Sequence, residues 1–146
     1  MFYPTKSRIV DHSLVVDYQR DEHRTHLLLY HLVWSTRRSK AFLEGDLLED
    51  CTRLITDKCR QRGWKIEEIV AYPNAVHVCL LAFPEDNPDA IVRELKKVTS
   101  FSLRKKYADS LSKVPSIWNR NYLASTVWEL PAETIDDFIE SQKGLQ

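Results

Sequence analysis

The sequence predicts an α+β sandwich: an antiparallel sheet, two amphipathic helices between its strands, and a further helix at the C-terminus. Three observations lead there. Short runs rich in β-branched, leucine and aromatic residues are bounded by turn signals, which is the mark of strands rather than helices. Two longer stretches carry apolar residues at helical spacing. Their order along the chain is strand, helix, strand, strand, helix, strand, helix.

His26 to Arg37 (HLLLYHLVWSTR) opens the series and, being apolar on both alternations, reads as a central strand buried on both faces. Next, Leu47, Leu48, Cys51, Leu54, Ile55 and Cys59 fall on one helical face, and Gly63 supplies a C-cap. KIEEIVAYP and AVHVCLLAF flank a Pro-Asn turn and read as a hairpin. A second helix starts at an Asn or Asp cap before Pro88 and carries Ile91, Leu95, Val98 and Leu103. IWNRNYLASTVWEL is expected to be the fourth strand, and Pro131 to open a short helix bearing Ile135, Phe138 and Ile139. Together these give a ferredoxin-like βαββαβ sandwich with an antiparallel sheet plus a C-terminal helix. The expected division is an N-terminal arm over 1–25, flexible or forming a short strand, and one domain over 26–146.

At 146 residues the chain can bury a real core. Its 21 basic residues balance 21 acidic ones, so nucleic acid or anionic lipid would have to be held by a local patch. Cys51, Cys59 and Cys79 form no CxxC pair, and an odd count suits a reduced, cytoplasmic protein. The first two read as small buried residues of a helix. No run approaches the ~20 apolar residues of a membrane span, and no signal-peptide apolar region opens the chain; a cytoplasmic location and no membrane partner are expected.

One stretch invites chemistry. In PNAVHVCLLAF, strand alternation puts Ala75, His77 and Cys79 on one face, so a single imidazole stands where a pair would make a metal site. The surrounding pieces explain it. YHLVWSTRRSK, YPNAVHVCLL, a second helix rich in Lys, Ser and Arg, IWNRNYLASTV and FIESQ stand in this order between His26 and Gln142. In that order they resemble the TnpA transposases, the small single-tyrosine HUH nucleases that move insertion sequences as single-stranded DNA, including the REP-associated tyrosine transposases. In that family a histidine pair on the third strand and a polar residue of the last helix hold Mg or Mn, and a tyrosine oxygen on that helix attacks the scissile phosphate.

The resemblance implies roles for particular positions here. Ala75 stands where the first ligand histidine belongs, His77 at the second, Asn74 at the acidic position, and Trp128 at a glycine. Phe138 stands where the nucleophilic tyrosine belongs, with Ile139, Glu140 and Gln142 retained. His77 and Gln142 therefore read as the remnant of a metal site, with His77 as a structural histidine equally open. A phenyl ring carries no oxygen to bear a phosphoryl group, so Phe138 removes the covalent step.

Two substitutes are conceivable. His77 and Cys79 would form a shifted pair suited to a softer metal such as zinc, and Tyr122 or Tyr107 would replace the nucleophile. His23, His26 and His31 have no partner pattern, and Trp34, Trp64, Trp118 and Trp128 read as core before stacking platforms. On the DNA side, Arg37, Arg38 and Lys40 follow the first strand. Lys96, Lys97, Arg104, Lys105 and Lys106 load the second helix, with Glu94 diluting the field; a solvated face is the alternative.

The expected function is thus binding of single-stranded hairpin DNA by a homodimer without strand cleavage. An inactivated or mutated strand-transferring transposase is the alternative, and a protein-interaction module without DNA the second one.

Overall fold

The computed structural model describes residues 17–144. The expected N-terminal arm lies outside these as far as residue 16. From there two short strands, β1 (Gln19–Arg20) and β2 (Thr25–His26), pair antiparallel. Asp21 closes their turn by accepting from the backbone N–H of His23 and Arg24, and Arg24 reaches on to Glu85, tying the hairpin to the body.

The main sheet contains β3 (Leu28–Ser35), β4 (Lys65–Tyr72), β5 (Ala75–Ala82) and β6 (Leu123–Ser125), in the order β4-β5-β3-β6 with every pair antiparallel. β3 and β5 are central and pair over their full length, from Leu28 opposite Ala82 to Ser35 opposite Ala75. Between them in sequence lies α1 (Gly45–Arg62), and α2 (Pro88–Lys106) follows β5. This is the ferredoxin-like connectivity read from the sequence, completed by α3 (Ala132–Ser141).

The helix signals act as their chemistry requires. The Asn87 side chain accepts from Ala90 N–H at 2.8 Å, with Pro88 in the first turn. Gly63 ends α1 in the left-handed region at φ 79°, a conformation that costs glycine least. One face of the sheet (Leu32, Trp34, Val76, Val78, Leu80) packs with Cys51, Ile55 and Cys59 of α1 and Ile91, Val92 and Leu95 of α2. Trp34 meets Trp118 edge to face, and the Trp118 indole donates to Thr99 of α2. The cysteines of α1 are core, as expected, and burial pushes both thiols up to about 12.

The fourth strand departs from expectation. Only Leu123–Ser125 forms a ladder, with one isolated bridge between Trp118 and Thr36. The reason is Lys96 of α2, whose ammonium collects the carbonyls of Asn119, Arg120 and Asn121 at 2.7, 3.3 and 3.2 Å. Three consecutive carbonyls converging on one cation cannot alternate as a strand demands.

Candidate functional site

The opposite face of the sheet holds the residues of interest. Alternation along β3 and β5 turns His31, Val33, Ala75, His77 and Cys79 away from α1 and α2. α3 and the segment at Trp128 lie on this side: the indole packs on Leu29, Cys79 and Leu81, and Gln142, just beyond α3, is buried.

His77 has a partner that the sequence did not reveal. His31, directly opposite Cys79 in register, sits diagonally to His77. Its Nδ1 lies 3.0 Å from His77 Nε2, with the rings stacked at 5.2 Å. The expectation that His31 lacks a partner is corrected: the pairing depends on strand register, which spacing along a single strand does not encode.

The tautomers follow from the acceptors. His31 Nε2 is 3.1 Å from the Trp128 carbonyl, which can only accept, so that nitrogen carries the proton. Neutral His31 then offers a bare Nδ1, and His77 Nε2–H donates to it. Burial, and then the neighbouring His31, hold His77 below the usual imidazole range, favouring this neutral chain.

Gln142 belongs to a second cluster at the end of the same face. Its Oε1 accepts from Asn119 Nδ2 at 3.4 Å and Asn121 Nδ2 at 3.3 Å. Asn119 also reaches Ser35 Oγ at 3.4 Å, and Ser35 is the register partner of Ala75. The structure therefore brings Ala75, His77 and Gln142 to one face, with Gln142 joined to the Ala75 end through Asn119. Asn119 and Asn121 were missed by sequence reasoning; their side chains in an otherwise strand-like run were the available signal.

The donor set does not fit the metal that the resemblance implies. Ala75 offers a methyl group, His77 uses its Nε2 proton on His31, and the Gln142 carbonyl oxygen is held by two amides. Cys79 faces the same side, where its Sγ lies 3.9 Å from His31 Nε2 under the Trp128 indole and burial pushes the thiol up to about 12. Among the described residues no group of three His, Cys, Asp or Glu side chains could hold an ion.

Neither tyrosine weighed as a nucleophile lies on this face. Tyr107 OH donates to Asp50 of α1 at 2.6 Å and is pushed up to about 12, chiefly by that carboxylate; Tyr122 OH donates to Asp89 of α2 at 3.0 Å. Phe138 is half-buried on α3, and its carbonyl accepts from Ser141 Oγ.

The basic residues separate by what they already hold. Arg37–Ser39 forms a single 3-10 turn at the end of β3, in which Arg38 and Ser39 adopt positive φ of 57° and 55°. Left-handed backbone at two non-glycine residues stores strain of order 1 kcal/mol or more each. Thr36 Oγ1 to the Lys40 carbonyl at 2.7 Å and Thr36 N–H to the Asn74 carbonyl at 2.9 Å hold the turn beside the β4–β5 hairpin. Within it Arg37 Nε and Ser39 Oγ are buried without a hydrogen-bond partner among the described residues.

On α2, Lys96 is committed to its three carbonyls; burial draws its ammonium down to about 8, and those oxygens favour keeping the proton at neutral pH. Arg104 donates to the Val114 carbonyl and Lys106 pairs with Asp50 at 2.8 Å. Lys97 and Lys105 are exposed and make no ion pair among the described residues. Glu94 turns to Lys58 and Arg62 of α1, at 3.8 and 3.7 Å.

Comparison with known proteins matches the family model for IS200-like transposases over residues 24–142. The chain belongs to the IS200-like transposase family. It is 27% identical over 117 residues to the ISDra2 transposase TnpA of Deinococcus radiodurans, covering 79% of this chain and 84% of that protein. A Deinococcus radiodurans R1 crystal structure described as that of a candidate transposase superposes with a TM-score of 0.78 at 23% identity, covering 85% of this chain and 97% of that one. The structure of a REP-associated tyrosine transposase bound to a REP hairpin gives 0.53 at 14% identity, covering 83% and 69%. These two likenesses show that the IS200-like transposase fold is shared. No helix among the described residues is long and apolar enough to cross a membrane.

Proposed function

We propose that this IS200-like transposase relative binds single-stranded DNA folded into a hairpin and does not cut it. The observation that carries the reading is the fate of the imidazole. At the position of a metal ligand, His77 spends its Nε2 proton on His31, beside the Ala75 methyl and on a chain whose nucleophile position is Phe138. The residues keep the scaffold of the family reaction without a donor set for its ion or an oxygen for its ester. Trp128, in place of a glycine, packs on Leu29, Cys79 and Leu81 and fills part of the face.

The binding half rests on the basic turn. Arg37, Arg38 and Lys40 stand together at the end of β3 in a strained turn, with Arg38 and Lys40 exposed where a phosphate backbone could meet them. Lys97 and Lys105 add cations from α2, while Arg104, engaged with Val114, positions the connector. A fold relative carrying a REP hairpin points to the same ligand class. Two copies are expected to assemble about a two-fold axis, for which the short outer strand β6 and Val127, 48% exposed, offer an edge.

The test is fluorescence anisotropy of a labelled hairpin against the purified chain. With about five phosphates contacted, affinity should fall roughly a hundredfold between 50 and 200 mM salt, and Arg37→Glu with Arg38→Glu should abolish binding. Flat titrations at low salt would instead make the chain a protein-interaction module.

A further inference from the structure

The far side of the molecule carries a feature that the sheet face does not explain. Phe101 of α2 is 70% exposed, the most exposed large apolar side chain among the described residues. It sits in a shallow cleft of about 720 Å³ with Val98, Ala90 and Lys97. Lys97 and Lys105 lie four residues before and after it, on the same helical stripe. These are the two lysines of α2 that make neither an ion pair nor a hydrogen bond among the described residues.

A second groove, of about 410 Å³, adjoins the first and shares Lys97 with it, running between α2 and the connector past Ser100, Ser116 and Arg120. Arg120 is exposed and, among the described residues, makes no side-chain ion pair. The cations facing these grooves that are already spent are Lys96, on its carbonyls, Arg93, on Asp89 at 2.5 Å, and Lys58, on Glu94. Those pairs also use up Asp89 and Glu94, the acidic residues of the lining, which leaves Arg120 and Lys97 in the grooves, Phe101 beside them, and Lys105 one turn further along α2.

We propose that this series is a track for unpaired polynucleotide, with one base stacked on the Phe101 ring and successive phosphates taken by Arg120, Lys97 and Lys105. An aromatic face between cations is the arrangement that holds single strands without reading their sequence. Charge complementarity favours the occupant: a second copy packed stripe to stripe would set Lys97 and Lys105 against the same lysines, whereas a phosphate backbone neutralises them. Because α2 covers the sheet face opposite His77, the track is separate from the site described above. The proposal rests on the reading of the chain as a single-strand DNA binder and places the unpaired flank of such a DNA.

The test uses the full chain with three probes: a blunt hairpin, the same hairpin with an unpaired oligothymidine tail, and that tail carrying 2-aminopurine. The tail should tighten binding to the wild-type chain. Phe101→Ala should remove that gain, at least about fivefold, and relieve the quenching of 2-aminopurine, while leaving blunt-hairpin affinity unchanged. Lys97→Gln with Lys105→Gln should lower the salt dependence more for the tailed probe than for the blunt hairpin. A tail that adds nothing, or a Phe101→Ala chain that binds it as the wild type does, would overturn the track and leave hairpin binding standing. Failure of the wild-type chain to bind any probe would overturn both. If Phe101→Ala instead alters only self-association, the stripe is a protein interface and the track is refuted.

Discussion

Neighbouring lysines on α2 should behave in opposite ways, and Lys96→Met is the sharper half of that contrast. Methionine keeps the aliphatic stem and deletes the ammonium that gathers the carbonyls of Asn119, Arg120 and Asn121, of which the contact at 2.7 Å is short and the others, at 3.3 and 3.2 Å, are longer. A hydrogen bond to a charged group contributes about 1.5–3 kcal/mol net. One good contact and two weak ones on a half-buried connector, less the desolvation that methionine avoids, leave a loss of about 2 kcal/mol. For a chain of this size that corresponds to roughly 5–7 °C in Tm. Urea denaturation followed by tryptophan fluorescence is the assay, since Trp118 lies beside the connector. Lys97→Met should change stability by less than about 0.5 kcal/mol yet weaken DNA binding. Stability in Lys96→Met equal to the wild type would refute the account of why the fourth strand breaks off.

Other consequences concern the sheet face. His77 is held below the usual imidazole value of 6.5, so the unfolded chain binds more protons as pH falls through that value; folding stability should decline below pH 6.5, by at most about 1.4 kcal/mol per pH unit per histidine. His77→Asn should flatten that limb in urea midpoints measured between pH 5 and 7, and an unchanged slope would contradict the neutral tautomer chain. Trp128→Gly uncovers Leu29, Cys79 and Leu81 and should cost about 1–2 kcal/mol, the indole being only half-buried. Peptide mapping after labelling with a thiol reagent should then find Cys79 modified faster than in the wild-type chain. Restoring both motif positions, Ala75→His with Phe138→Tyr, should still give no nicking on a denaturing gel while Trp128 remains and His77 stays bonded to His31.

What was legible in the sequence was what short-range physics controls. Cys51, Ile55 and Cys59 at helical spacing, Asn87 before Pro88, Gly63 after α1, and the alternation of Ala75, His77 and Cys79 each act within a few residues, and each forms the element expected. The face carrying the candidate site was legible for the same reason. Its wiring was not. His31 and His77 are 46 positions apart, and their contact depends on the register of two central strands. Lys96 read as one more cation of a basic helix, because nothing local reveals that three carbonyls of a distant connector turn towards it. Asn119 and Asn121 drew no reading of their own inside the expected fourth strand, whereas both bond Gln142 and Asn119 links it to Ser35 beside Ala75.

The loss of strand cleavage is tested most directly by incubating the wild-type chain with a hairpin bearing single-stranded flanks in the presence of Mg or Mn, then resolving the mixture on a denaturing gel. The account predicts intact DNA and no shifted protein band, under conditions where anisotropy reports binding. A covalent protein–DNA species, with the nucleotide mapped to any tyrosine of the chain, would contradict it.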